Sequence, residues 1–249
     1  MAPLPDPARI RALLLDIEGT TTPIAFVHEV LFPFASAYLE QFLRRNRDRP
    51  GASDDLKALA TERAAEPSEA AGLPPWRDDR SDELVVSAIA YARWLMARDR
   101  KSTALKSLQG KIWEAGYRSG ELRGQVFPDV PRAFARWRSQ GRGIAIFSSG
   151  SVLAQRLLFG HCTQGDLTPF ISAYFDTTSG PKISAQSYRR IAVALECAPA
   201  EIVFLSDVGA ELEAARSAGL ETLLCVRPGS AEPGSTADPI IHTFDELFP

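Results

Sequence analysis

The 249-residue sequence has few cysteines and histidines, and this scarcity excludes several kinds of site. Its three cysteines lie far apart and form no CxxC pattern, and its three histidines lack metal-ligand spacing. A disulfide framework and a Cys/His zinc site are therefore not expected. Scattered cysteines of this kind are typical of reduced thiols in a protein core, so we expect a cytoplasmic protein.

Long apolar runs are also missing, since none approaches the roughly 18 residues needed to cross a bilayer. The first residues are interrupted by prolines and lead into an aspartate, unlike a signal peptide. The net charge of −3 provides no general basic surface for nucleic acid or anionic lipid, so we expect neither partner. With 45% hydrophobic and 24% charged residues, the composition is that of an ordinary globular protein.

Short apolar runs, each followed by polar or small residues, predict the buried strands of a parallel sheet. They are Ile10–Leu15, Gly143–Phe147, Glu201–Leu205 and Leu220–Val226. Helical patterns accompany the later runs, at Val130–Gln140, Val152–Phe159, Ala185–Leu195 and Ala210–Ala218. This alternation predicts an α/β fold with a Rossmann-like parallel sheet covered on both faces. Ligands of such folds bind at the C-terminal ends of the strands.

Residues 22–125 interrupt this alternation, because they contain helical patterns and no strand-like run. The predicted helices are Phe26–Arg44, Asp54–Ala65, Asp82–Arg98 and Thr103–Ser119, with a proline-rich stretch at residues 67–80. We interpret the region as a helical domain inserted after the first strand. The predicted division is a core of residues 1–22 and 126–249 and a cap of residues 23–125. A Pro/Gly/Ser-rich loop is expected at residues 228–239.

Two carboxylates follow the first predicted strand. Residues i and i+2 leaving a strand project to the same side, so Asp16 and Glu18 can share one small space. They will repel each other unless a cation sits between them or one holds a proton. Either state suits phosphate chemistry, in which a carboxylate nucleophile, an acid and a cation act together. A solvated turn is the alternative interpretation.

Three further polar groups follow later strands. Ser148 and Ser149 occupy a strand-to-helix turn that can bind an anion, although they could equally cap the helix. Lys182 follows a Gly-Pro turn and can present its charge to a phosphate, or be an ordinary surface lysine. Asp207, with Glu211 four residues later, can hold Mg2+ directly or through water, although Asp207 could instead cap the next helix.

The order of these groups resembles the four-motif signature of the haloacid dehalogenase superfamily, whose first motif is usually D-x-D. The Asp16–Thr22 segment, with glutamate as its second acid, resembles the first motif of one member, the enolase-phosphatase (acireductone synthase) family. Further segments similar to that family are Leu108–Trp113, Ser148–Ser151, Leu158–His161 and Phe175–Lys182.

The resemblance implies a bifunctional enzyme of methionine salvage. It would convert 2,3-diketo-5-methylthiopentyl-1-phosphate through its enol to the acireductone 1,2-dihydroxy-3-keto-5-methylthiopentene and phosphate. It implies that Ser148 and Ser149 hold the substrate and that Lys182 binds its phosphate. The substrate is thus a small-molecule phosphate, and we expect a monomer.

The resemblance also implies the catalytic and metal groups. Asp16 would be the nucleophile that forms an aspartyl-phosphate, and Glu18 would be the acid/base. Asp16, Glu18 and Asp207 would bind one Mg2+ per subunit, with Glu211 as a carboxylate near that metal. The longer arm of Glu18 suggests a second task, which is to move the proton on carbon during enolisation.

Two other functions remain open at this point. The nearer is a phosphatase of the same superfamily for another small phosphate ester, which would share the core motifs and differ in the cap. The more distant is a non-catalytic binding protein on this fold. The enolisation base could also come from the cap, where His28, Glu29 and Tyr38 lie on the first predicted helix.

Overall fold

The computed structural model describes residues 3–78, 81–229 and 237–249. The chain divides into two compact units, one of residues 1–27 and 123–249 and the other of residues 28–122. In the described part of the chain, all strands lie in the first unit. The α-helices of the described residues, counted over both units, are α1 (Ile24–Phe26), α2 (Phe32–Asn46), α3 (Pro50–Ala64), α4 (Ser81–Met96), α5 (Thr103–Ser119), α6 (Val130–Ser139), α7 (Val152–Gly160), α8 (Ala185–Ala194) and α9 (Gly209–Ser217).

The first unit is built on a parallel sheet in the order β3-β2-β1-β4-β5-β6. Its described strands are β1 (Ala12–Leu15), β2 (Gly143–Phe147), β3 (Ala173–Phe175), β4 (Ile202–Ser206), β5 (Glu221–Cys225) and β6 (Ile240–Ile241). Strand β1 lies at the centre, where Leu15 is in register with Ile146 of β2 and Leu205 of β4. The predicted α/β class is therefore confirmed.

Both faces of β1 are buried, which explains its uninterrupted run of apolar residues. On one face, Ala12 and Leu14 pack with residues of β2, β4, α8 and α9 in a single apolar cluster. The alternate residues Leu13 and Leu15 are fully buried as well. Successive side chains of a strand point to opposite faces, so a central strand covered on both sides must be apolar throughout.

The chain order of the strands reverses beside β1. Strands β2 and β3 follow on one side of it, whereas β4, β5 and β6 lie on the other. The loops that leave the C-terminal ends of β1 and β4 therefore diverge, and such a switch point is where parallel sheets bind ligands. Asp16 directly follows β1, and Ser206 and Asp207 lie at the end of β4.

The second unit is helical in its described residues, and it has its own apolar core. Helices α2, α3, α4 and α5 contribute buried side chains to one cluster, which includes Leu39, Leu59, Ala92 and Leu108. The predicted helix Phe26–Arg44 is interrupted, because Val27–Leu31 forms a π-helical turn between α1 and α2. Pro33 lacks the N–H that a continuous α-helix would use at that point, and this accounts for the local widening.

The sequence patterns did not predict β3, β6 or the π-helical turn. Two predicted features lie partly outside the described residues. Residues 230–236 belong to the predicted loop at 228–239, and residues 79–80 are the end of the proline-rich stretch. Among the helices of the described residues, none has the length and apolar character to cross a membrane.

Candidate active site

Asp16 lies at the centre of the switch point, and its side chain is only 7% exposed. The backbone N–H of Ile17 donates to its Oδ1 atom over 2.7 Å. The ammonium of Lys182 lies 2.6 Å from the same oxygen, and the hydroxyl of Ser206 lies 3.4 Å from Oδ2. A carboxylate buried at this depth is destabilised unless polar or charged groups pair with it. Its position at the end of a strand leaves it pointing into the crevice rather than the core.

The loop after Asp16 is a tight turn built around one carbonyl. The backbone N–H groups of Thr20, Thr21 and Thr22 all approach the carbonyl of Ile17, at 3.3, 3.0 and 2.8 Å. Gly19 adopts φ +68°, and a Cβ placed there would lie 2.1 Å from Oδ2 of Asp207. Only glycine allows this backbone conformation together with so close an approach. The turn thereby brings the loop after β1 against Asp207, which follows β4.

Lys182 lies between two carboxylates. Its Nζ atom is 2.6 Å from Oδ1 of Asp16 and 2.6 Å from Oε2 of Glu211. Burial by itself would lower the pKa of Lys182, but the two carboxylates outweigh burial, so its pKa is raised. The hydroxyl of Tyr188 donates to the Lys182 carbonyl over 2.7 Å and fixes the backbone there. The lysine is thus a permanent cation at the site and not a surface residue.

The acidic pair after β4 faces the same crevice. Burial, together with the charge of Asp16, raises the pKa of Asp207 to about 6. The same two causes raise the pKa of Glu211, whose Oε2 atom accepts a hydrogen bond from Ser206 at 2.9 Å. Helix α9 follows Val208 and has no side-chain cap, so Asp207 does not serve as its cap. Three carboxylates thus share this part of the site with one lysine, which pairs with two of them, and this excess of negative charge favours a further cation.

The carboxylates of this site can be compared with the ligands that a divalent cation needs. In the described residues no group of three or more His, Cys, Asp or Glu side chains is arranged as a metal cage. Asp16 and Asp207 nevertheless meet the needs of Mg2+, which takes one or two carboxylates and completes its shell with water and phosphate oxygens. Burial and the nearby charge of Asp16 raise the pKa of Asp207, and a bound cation would offset the second of these causes. The residues present therefore fit Mg2+.

The serine turn after β2 lies near the edge of the crevice. The backbone N–H of Ser148 donates to the Phe175 carbonyl at 3.2 Å, and its hydroxyl accepts from the N–H of Gly150 at 3.2 Å. Ser149 is exposed. The cap of α7 is Ser151, whose hydroxyl accepts from the N–H of Ala154 at 3.3 Å. Because Ser151 takes the capping role, the two preceding serines are available to bind a ligand.

Glu18 differs from Asp16 in its surroundings. It lies in the same turn, where it forms an isolated bridge with Thr22, but its side chain is exposed whereas that of Asp16 is buried. A glutamate at this position can exchange protons with solvent more readily than a buried one. It can also extend farther than an aspartate toward a bound molecule.

Sequence reasoning assigned no structural role to several residues that hold the site together. The hydroxyl of Ser206 donates to Glu211 at 2.9 Å and lies 3.4 Å from Asp16, and Tyr188 fixes the backbone of Lys182. Gln155, which is buried, donates through Nε2 to the carbonyls of Gly150 and Phe175, each at 2.8 Å, and so ties the serine turn to β3. One signal was available for Gln155 and Tyr188, since each is a polar side chain on the apolar face of a predicted helix.

The chain is similar to known proteins over most of its length. Residues 10–219 match the model of the haloacid dehalogenase-like hydrolases. The chain is 53% identical to the enolase-phosphatase E1 of Synechococcus elongatus over 98% of this chain and 100% of that protein. It is 46% identical to the Drosophila melanogaster enolase-phosphatase E1 over 89% and 85% of the two chains. The crystal structure of the UTR4 protein of Saccharomyces cerevisiae superimposes with a TM-score of 0.77 at 34% identity, covering 96% of this chain and 100% of that one.

Proposed function

The chain belongs to the enolase-phosphatase family of haloacid dehalogenase-like hydrolases, and we propose that Asp16 is the nucleophile of its phosphatase reaction. It is a hydrolase with the acireductone synthase role of methionine salvage, and its relatives generally use Mg2+. The single observation that carries the assignment of Asp16 is its burial at the switch point, 2.6 Å from Lys182.

The phosphate step follows from the groups around Asp16. Its carboxylate oxygen forms a bond to phosphorus while the bond from phosphorus to the substrate oxygen breaks, giving an aspartyl-phosphate. Glu18 gives its proton to the departing oxygen and then takes one from the water that hydrolyses the aspartyl-phosphate. Lys182, Ser148 and Ser149 bind the phosphoryl oxygens and the substrate. The ion pair of Lys182 with Asp16 exchanges in part for one with the phosphate.

A single Mg2+ fits the same assignment, held by Asp16, Glu18 and Asp207, with Glu211 nearby. When bound, it supplies positive charge that neutralises the phosphoryl oxygens. This role is supported by the three carboxylates, Asp16, Asp207 and Glu211, that share the site with a single lysine. We further propose a monomeric cytoplasmic enzyme in which residues 23–125 form a cap domain.

Enolisation precedes phosphate release and needs a base that removes a proton from carbon. We assign this task to Glu18, because its side chain is exposed and longer than that of aspartate. Glu18→Asp should then slow enolisation about tenfold more than it slows hydrolysis of an aryl phosphate, which needs no proton transfer at carbon. Equal losses in the two reactions would instead favour a base from the helical unit, such as His28, Glu29 or Tyr38.

The decisive experiment supplies the diketo phosphate and records the enol absorbance and the released phosphate in the same sample. The wild-type protein should show an enol that appears and then decays as phosphate is released. Asp16→Asn should reduce phosphate release by on the order of 10^3-fold or more, and the enol should then accumulate. A matched control is Asp245→Asn, which removes a carboxylate that pairs with Arg132 away from these motifs.

A second candidate, a phosphatase for another small phosphate ester, shares every core motif with the proposed function. Phosphate release without an enol intermediate would favour it over the enolase-phosphatase reaction. No metal-dependent hydrolysis of any phosphate ester by a folded sample would exclude both.

A further inference from the structure

Arg227 lies two residues after β5 and contacts the turn that contains Glu18 and directly follows Asp16. It is only 3% exposed, although arginine is rarely buried to this degree. Its guanidinium carbon lies over two aromatic rings, 4.5 Å from the ring centre of Phe127 and 4.3 Å from that of Phe244. Such stacking holds the planar group in one orientation.

The edge of this guanidinium is directed at specific acceptors. Its Nε atom donates to the carbonyl of Thr20 over 2.8 Å, and its Nη1 atom lies 2.6 Å from Oδ2 of Asp129. The same oxygen of Asp129 accepts from the backbone N–H of Phe244 at 2.6 Å and the hydroxyl of Thr243 at 3.0 Å. Arginine can join a carbonyl and a carboxylate in one plane, which the point charge of lysine cannot do.

The carbonyls of the turn show what this contact contributes. Those of Thr21 and Thr22 accept from backbone N–H groups, of Phe127 at 3.0 Å and of Gly19 at 2.9 Å. The carbonyl of Thr20 instead accepts from the side chain of Arg227. Among the described residues, the buried hydroxyls of Thr20 and Thr22 have no hydrogen-bond partner, so these side chains do little to anchor the turn. The arginine thus links the turn directly to the end of β5.

We propose that Arg227 is a positioning residue for catalysis, because it fixes the turn and so aims Asp16 and Glu18 at the substrate. This inference rests on the proposed function of those two residues. A buried ion pair gives little net stability compared with a well-packed apolar pair, so stability alone does not account for Arg227 and Asp129. Precise placement of a nucleophile does account for them, since a shift of about 1 Å can cost on the order of 100-fold in rate.

The test compares Arg227→Lys with a matched variant, Arg142→Lys. Arg142 is also a buried arginine of the first unit, at 8% exposure, stacked 4.2 Å over the ring of Phe248 and donating to the Pro7 carbonyl at 2.8 Å. It precedes β2 and lies at the opposite end of the sheet from Asp16. Both variants keep the positive charge and should lower the melting temperature by similar amounts.

The kinetic outcomes differ between the two variants. Arg227→Lys should lower the single-turnover rate of phosphate release by roughly 10- to 100-fold. Its KM should stay near the wild-type value, because Ser148, Ser149 and Lys182 lie outside the turn. Arg142→Lys should stay within about twofold of the wild-type rate. Equal rates for the two variants would overturn the inference.

A second measurement tests the role of Arg227 independently of the proposed function. Hydrogen exchange of the amides of residues 17–22, followed by mass spectrometry, should be faster in Arg227→Lys and unchanged in Arg142→Lys. Unchanged exchange in both would overturn the inference whatever the activity. Asp16→Asn is assayed in parallel. Its full activity would refute the proposed nucleophile, while the exchange data would still decide the role of Arg227.

Discussion

Lys182 illustrates how single residues hold this site together. Its ammonium lies between two carboxylates, of Asp16 and Glu211, and all three side chains are largely buried. Each member of such a cluster depends on the others, because an unpaired charge in a buried position is much less stable than one in water. The lysine therefore supports the fold of the crevice as well as its chemistry.

We predict that Lys182→Met destabilises the protein without Mg2+ by about 3–5 kcal/mol, because it leaves two carboxylates without their cation. Adding Glu211→Gln to this variant should recover part of the loss, since the second change removes one of the stranded charges. Urea unfolding at neutral pH measures both effects. Arg11→Met is the control, because it breaks an exposed pair with Glu201 and should cost less than about 1 kcal/mol. A loss no larger than that of the control would contradict the prediction.

At the scale of residues, the sequence could identify the groups that follow strand ends. Asp16, Ser148 and Asp207 were found because parallel strands bring their C-terminal ends to one edge of a sheet. It could not identify Ser206 as a partner of Asp16, because the two lie 190 residues apart and only the register of β1 with β4 brings them together. The same reason applies to the contact of Arg227 with Thr20, across 207 residues.

At the scale of elements, the clearest helices were those with defined ends. Helix α5 has the predicted bounds Thr103–Ser119, because the hydroxyl of Ser102 caps its start and Gly120, at φ +79°, ends it. Strands β3 and β6 have only three and two residues, too few to show an alternating pattern. Their formation depends on pairing with β2 and β5 rather than on local preference.

Gly124 shows how closely two elements approach after the helical insertion. A Cβ at this residue would lie 2.2 Å from the backbone carbonyl oxygen of Leu158 in α7. Gly124→Ala should therefore destabilise the protein by about 3 kcal/mol, since backbone must move to admit one methyl group. Gly143→Ala is the matched variant, because its nearest neighbour is 3.6 Å away, and it should stabilise by about 0.5 kcal/mol. Thermal unfolding measures both, and equal effects would refute this account of Gly124.

Asp176 links the end of β3 to the start of α7. Its carboxylate accepts from the N–H of Val152 at 3.2 Å and from the N–H of Thr178 at 2.9 Å. Burial by itself would raise the pKa of Asp176, but these hydrogen bonds and that of the Thr178 hydroxyl outweigh burial, so its pKa is lowered. A lowered carboxyl pKa stabilises the fold above the ordinary value of 3.8. That contribution is lost as the pH falls below this value toward the folded pKa.

We therefore expect Asp176→Ala to destabilise the protein by roughly 0.5–2 kcal/mol at pH 7, and by progressively less as the pH falls below 4. Unfolding by urea at several pH values measures the difference between variant and wild type. Ser151→Ala is the control, because it removes the neighbouring cap of α7 without removing a titrating group. A difference for Asp176→Ala that is independent of pH would contradict the assignment.

At the scale of the whole molecule, the topology decides where the chemistry can lie. The helical insertion separates β1 from the other strands by more than 120 residues, yet β1 takes the central place in the sheet. A central strand beside the reversal of strand order must deliver its last residues to the crevice. The location of the site could thus be predicted from the order of strands and motifs alone. The partners inside the crevice could not, since they depend on side-chain contacts among four separate segments.

The charge of the crevice leads to a prediction about the stability of the whole α/β unit. Asp16, Asp207 and Glu211 share the crevice with one lysine, Lys182, so a divalent cation that binds only the folded state should stabilise that state by mass action. At a Mg2+ concentration about 100 times its dissociation constant, the free energy of unfolding should rise by roughly 2.7 kcal/mol. To measure this, divalent cations are removed with a chelator, Mg2+ is added back, and the rise in melting temperature is recorded. Asp207→Asn should abolish this rise, and it should also stabilise the Mg2+-free protein, because it removes a buried charge next to Asp16. Asp245→Asn, which changes a partly exposed carboxylate paired with Arg132, should keep the full response to Mg2+. An equal response in both variants would show that the stabilising cation binds elsewhere.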